Sequence, residues 1–162
     1  MGRFLAFILG IAGALIASQG PSFSLQYMQN LQGRVDELTT IVATHDAEIA
    51  KFGYDREKAL GECRQAVDLL EAMCSNYRMA VNRLEYLTDH LAELNSVTDY
   101  LRPLILAKTY DRDIAKSVKE QFAPAVPTTI DGAIYAGGGF AVAWGLPLML
   151  FSILGGMFGR RN

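Results

Sequence analysis

The sequence predicts an all-α protein, with two transmembrane helices flanking an extramembrane antiparallel bundle of about four helices. Three observations predict it. Charge is segregated: after Arg3 the next charged residue is Arg34, and none lies between Asp131 and Arg160. The charged middle repeats apolar residues at spacings of three and four, the period of a helix buried along one face. Glycines and prolines mark several of the breaks between these stretches. The boundaries that follow are 1–23 for the first span, 24–127 for the bundle, 128–159 for the second span and 160–162 for a basic tail.

The first span rests on "FLAFILGIAGALIAS", whose apolar core runs from Phe4 to Ala17. That core is short, and "LIAS" resembles a signal-peptidase site. A retained span is favoured by Ala6, Gly10, Ala14 and Ser18, a small-residue stripe at four-residue intervals that export does not require. The second span is longer: Gly132 to Phe158 carries no charge, and a bilayer core needs about 20 helical residues. It has its own stripe, Ala133, Gly137, Ala141 and Gly145. Small residues let helix backbones approach closely in lipid, so the two stripes are expected to bring the spans together, or copies of them. Pro147 is expected to kink the second span.

Between the spans, Met28, Leu31, Val35, Leu38, Val42, His45, Ile49 and Phe52 form one seam. Gly53 closes that helix and Asp55 caps the next. Leu60, Cys63, Val67, Leu70, Cys74, Tyr77, Val81 and Leu84 continue the pattern, fading near Ser96. An unbroken return helix would outrun the outgoing one, at ~69 Å against ~43 Å. A second turn is therefore expected at Cys74–Asn76, with Leu60 to Leu70 packed on the first seam and position 64 near position 45. A parallel coiled coil between two chains is the rival arrangement. Pro103 ends what precedes it, and "DRDIAKSVKEQF" aligns Ile114, Val118 and Phe122 on a short amphipathic helix. Pro124 and Pro127 then stop the chain before "TTID", a capping box with Thr128 as N-cap and Asp131 at N3.

These ends carry a resemblance. "QGPSFSLQYMQNLQGRVDEL" and "FAPAVPTTIDGAIYA" resemble the bacterial family catalogued as domain of unknown function 2937. The likeness is most specific at Gln19, Pro21, Phe23, Tyr27, Pro124, Pro127, Thr128 and Gly132. It implies a retained first span and a bacterial inner membrane, and brings no activity with it.

Candidate chemistry is sparse. His45 with Glu48 and His90 with Glu93 are H-x-x-E pairs, able to offer a nitrogen and a carboxylate from one helix face. They fall on different helices, and the expectation is no metal, no cofactor and no catalytic residue. Cys63 and Cys74 would lie ~16 Å apart within one helix, too far for a disulfide, so free thiols packed as small hydrophobes are expected. A bridge requires the helix to break before Cys74, or a second chain. All 17 acids but only twelve of the 15 Lys and Arg lie from Arg34 to Asp131, a net −5 that argues against nucleic acid as a partner. Arg3, Arg160 and Arg161 place both termini in the cytoplasm and the middle in the periplasm. The expected function is a membrane-anchored, non-enzymatic scaffold or accessory subunit of an envelope complex, whose partners are the lipid bilayer and other membrane proteins or copies of itself. Alternatives are a transporter or channel subunit acting as an oligomer, and a signal-cleaved secreted binding protein.

Overall fold

The computed structural model describes residues 2–124 and 128–158. Among these, the chain is helical throughout and contains no strand. The elements in order are α1 (Gly2–Ala17), α2 (Gln19–Ala50), α3 (Arg56–Glu62), a 3₁₀ turn (Cys63–Gln65), α4 (Asp68–Ser96), α5 (Arg102–Thr109), α6 (Arg112–Gln121) and α7 (Ile130–Phe158). They group into two compact units, one of residues 28–96 and one of residues 1–27 with 97–162. Two helical stretches, Gly2–Ala50 and Ile130–Leu150, are long and apolar enough to cross a membrane. Pro127, Arg160 and Arg161, which the sequence analysis used for the helix stop and the topology, lie outside the described residues.

In the unit that holds both termini, α1 and α7 pack directly on each other. Their closest approach is backbone on backbone. A Cβ added at Gly13 would meet the Gly139 carbonyl oxygen at 2.6 Å, and one added at Gly139 would meet Ala17 Cβ at 2.5 Å. Gly10 fits under Phe140 and Trp144, and Phe7 meets Phe140 edge-on with ring centroids 5.8 Å apart. The N-terminal stripe is therefore a contact face: Ala6, Gly10 and Ser18 are buried. The C-terminal stripe is not. Nothing approaches Gly137 or Gly145, Ala133 and Ala141 are exposed, and the contact runs instead through Gly139, Phe140 and Ala143. Gly and Ala are abundant enough in α7 to offer two small-residue faces, and spacing alone does not choose between them. α7 passes through Pro147 as one continuous helix.

The capping residue of α7 is also displaced by one. Thr129, not Thr128, accepts from the N–H of Gly132 at 3.2 Å, because the helix begins at Ile130. Pro103 starts a helix rather than only ending one: it occupies the first turn of α5, where a missing N–H costs nothing. α6 is built as its sequence predicts, with Ile114 and Val118 buried and Phe122 against Phe23 at 5.7 Å. Tyr27 fixes this packing. It is fully buried, and its hydroxyl accepts from the N–H of Asp111 at 2.8 Å while Asp111 caps α6 through Asp113 N and Ile114 N.

The other unit is a hairpin of residues 28–50 against α4. Gly53, at φ 76°, makes the turn, and Asp55 caps α3 by accepting from Lys58 N at 2.8 Å. Leu31, Val35 and Val42 are buried, as the first seam predicts. The second break differs from the expectation. Cys74–Asn76 lies inside the unbroken α4, and the chain turns at Ala66–Val67, with Asp68 in the left-handed region at φ 55°. The buried face of α4 is therefore Cys74, Tyr77, Leu87, His90 and Leu94, while Val67 and Leu70 are exposed. His45 meets the Tyr77 ring of α4 at 5.3 Å, and the seam finds its partner within the same chain.

Gly139→Leu and Gly137→Leu separate the two faces of α7. The first should cost about 1–3 kcal/mol or more, since it drives a side chain into backbone. The second should shift stability by no more than about 0.5 kcal/mol. Thermal melts of the purified chain in mild detergent measure both, and equal melting of the two variants would refute the packing.

Candidate functional site: the closed end of the hairpin

The most heavily cross-braced part of the hairpin is the end where it turns. Cys63 and Cys74 form a disulfide with Cα atoms 5.6 Å apart. This corrects the expectation of free thiols. Within one helix the two would be too far apart, but the 3₁₀ turn and the break at Ala66–Val67 fold Cys63 back onto the first turns of α4. The crosslink closes a short loop and so restricts the unfolded chain more than it restricts the folded one.

A polar brace lies beside it. Asp46, on α2, accepts from both the Nε of Arg56 at 3.2 Å and its Nη2, and from the Tyr77 hydroxyl at 2.5 Å. One carboxylate thus ties α2, α3 and α4 together. The Arg56 hydrogen bond, helped by that of Tyr77, holds the Asp46 carboxyl below the usual carboxylate range against the opposing effect of burial. Burial first, then the neighbouring carboxylate, pushes the Tyr77 phenol up. His45 lies tilted against the Tyr77 ring. His45, Tyr77 and the cysteines lay on predicted seams, whereas Asp46 and Arg56 did not. An aspartate ten residues before an arginine has no helical reason to meet it until the turn at Gly53 is made.

Over this brace the surface is apolar. A cleft of about 470 Å³ is lined by Ile49, Phe52, Tyr54, Leu70 and the disulfide. Phe52, Leu69 and Val67 stand 79%, 74% and 70% exposed, and Leu70 and Met73 are exposed beside them. Side chains of this size left in solvent at a cross-braced end mark an interaction surface more readily than a reaction centre.

The two H-x-x-E pairs are not brought together. Glu48 pairs with Lys51 at 2.6 Å. His90 is buried on α4, its Nδ1 3.7 Å from Glu93 and its ring stacked on Tyr86 at 6.4 Å. His45 belongs to the other helix, at the closed end. Among the described residues no group of three or more His, Cys, Asp or Glu is gathered to hold a metal.

Over residues 1–160 the chain matches the family described as "Protein of unknown function (DUF2937)", and it belongs to that family. No curated protein and no solved structure matches it.

The Asp46 brace predicts a pH signature with a definite sign. Its carboxyl is lower in the folded than in the unfolded chain, so its contribution is present above about pH 4 and is lost as the pH falls below that. Asp46→Asn should cost about 1 kcal/mol at pH 7, a modest value because the side chain is 31% exposed. The same substitution should flatten the fall in stability between about pH 5 and pH 2. Denaturant melts across that range measure it. A variant whose acid limb matches the parent chain would remove Asp46 from the brace.

Proposed function

We propose that this chain is a non-enzymatic, membrane-anchored helical module of the bacterial inner membrane, serving as a scaffold or accessory subunit of an envelope complex. Its two apolar helices form the anchor, and the closed end of the hairpin is the face presented to a partner protein. The observation that carries the reading is the apolar surface of Phe52, Val67, Leu69, Leu70 and Met73, mounted on a disulfide and a three-way polar brace. Catalysis needs convergent polar groups with access to a substrate. Here the polar groups are spent on one another, and the free surface is apolar.

Two further observations support the details. A disulfide persists in an oxidising compartment, which favours residues 24–127 on the periplasmic side and both termini in the cytoplasm. Backbone contact between α1 and α7 favours a retained first span, because cleavage after Ala17 would strip α7 of its packing partner. A second reading, an oligomeric transporter or channel subunit, is favoured by one feature: the exposed small face of α7 at Ala133, Gly137 and Ala141, which suits close approach to another span.

Alkylation of intact cells before lysis should leave Cys63 and Cys74 unlabelled unless reductant is added. Free, labelled thiols would place the hairpin in the cytoplasm. Purification in mild detergent should bring down a specific envelope protein, and Leu69→Ser/Leu70→Ser should lower its recovery roughly tenfold, about 1.4 kcal/mol of binding. Those exposed substitutions should leave the melt within about 0.5 kcal/mol. Recovery that ignores the double substitution would refute the hairpin end as the docking face.

A further inference from the structure

The unit that holds both termini contains a second apolar groove, of about 430 Å³, bounded by Gly20, Phe23, Pro103, Leu106, Tyr110 and Phe122. Its volume is within the ~300–1,000 Å³ of small-ligand clefts. No charged side chain lines it. Of its polar members Gln19, Ser24 and Tyr110, the first two already donate to the carbonyls of Leu15 and Gly20, at 3.2 and 2.9 Å. An occupant therefore gains contact but no required hydrogen bond, which describes hydrocarbon.

The placement says which hydrocarbon. Gly20 stands just beyond the end of α1, and a Cβ there would lie 3.7 Å from Pro103 and 3.7 Å from the Tyr135 ring. Tyr135 belongs to the apolar stretch Ile130–Leu150, and its hydroxyl donates to the Tyr100 carbonyl at 2.8 Å. The groove thus lies beside the apolar stretch that holds Tyr135. Tyr100 and Tyr135 meet through that bond and Tyr110 lines the groove, a set of residues of the kind enriched at membrane–water boundaries. Leu101 and Leu104 are exposed at the start of α5. The helices α5 and α6, with the Asp111 cap between them, carry Arg102, Lys108, Arg112, Lys116 and Lys119 against Asp111, Asp113 and Glu120, a small excess of positive charge within an otherwise acidic middle. Basic side chains beside a membrane favour anionic headgroups.

We propose that this groove seats one acyl chain of an anionic phospholipid, making a bilayer lipid a bound ligand of the junction between α2, α5 and α6. The inference rests on the membrane-anchored reading. A lipid chain there completes the burial of Phe23 and Phe122, half-buried rings that pack on each other, and it fixes α5 and α6 to the bilayer surface.

The test is native mass spectrometry of the full chain released from mild detergent, with phosphatidylglycerol supplied as the probe. Ala115→Phe and Ala107→Phe fill the groove from its two walls, while Val142→Phe adds the same ring to an exposed position on α7. The expected result is one retained phospholipid per chain, reduced roughly tenfold by either groove variant and unchanged by Val142→Phe. Circular dichroism identifies a variant that has lost its helices, and the variant on the other wall then decides. Retention that is equal in a folded groove variant, or lost equally in Val142→Phe, overturns the proposal. So does loss of a co-purifying polypeptide in place of lipid. Recovery of the parent chain in the soluble fraction without detergent would instead bring down the membrane reading on which the proposal rests.

Discussion

Backbone contact between α1 and α7 at Gly13 and Gly139 is the constraint from which the remaining architecture follows. Lipid offers little hydrophobic gain for joining two apolar helices, so their association depends on how closely they approach. A side chain at either glycine would hold them apart. Once they are joined, the chain that leaves the end of α1 must return to the start of α7. Between them the chain passes through a hairpin of two long helical segments. The sequence has that pair in residues 28–50 and 68–96.

A circuit of long helices concentrates its difficulty at the turn. Residues 51–67 have to reverse the chain without a core of their own, and their local signals are weak apart from Gly53 and Asp55. The disulfide and the Asp46 brace do what packing does elsewhere. They hold α3, the 3₁₀ turn and the start of α4 to each other through one covalent bond and a handful of charged hydrogen bonds. This leaves the apolar side chains of the turn free to face outward. Interaction surfaces are often built this way, with order supplied from beneath so that little entropy is lost when the partner arrives.

The two apolar surfaces of the protein differ in what they suit. The closed end of the hairpin presents large, separated side chains around a shallow cleft, a form that accepts a protein surface. The groove by Gly20 and Phe122 is narrow, uncharged and set where the spans end, a form that accepts a chain of methylenes.

Much of this was legible from residues alone, for one reason: periodicity and charge are properties of single helices. The apolar ends, the part of the Met28–Phe52 seam that is buried at Leu31, Val35 and Val42, the turn at Gly53 with its cap at Asp55, and the amphipathic α6 each report on a local structure whose signal is carried by adjacent residues. Family membership was legible too, in the segments around Gln19 and Pro124. What the sequence did not decide was which of two equivalent local choices is made when helices meet. The break at Ala66–Val67 has no glycine or proline to announce it, while Ser75 and Asn76 look like a turn yet sit on the outer face of α4. The contact face of α7 at Gly139 and Ala143 is no smaller than the face at Gly137 and Gly145. Pairing of Cys63 with Cys74, and of Asp46 with Arg56 and Tyr77, exists only after the chain has turned. Such contacts join residues distant along a helix or on different helices, and only tertiary packing brings them within reach.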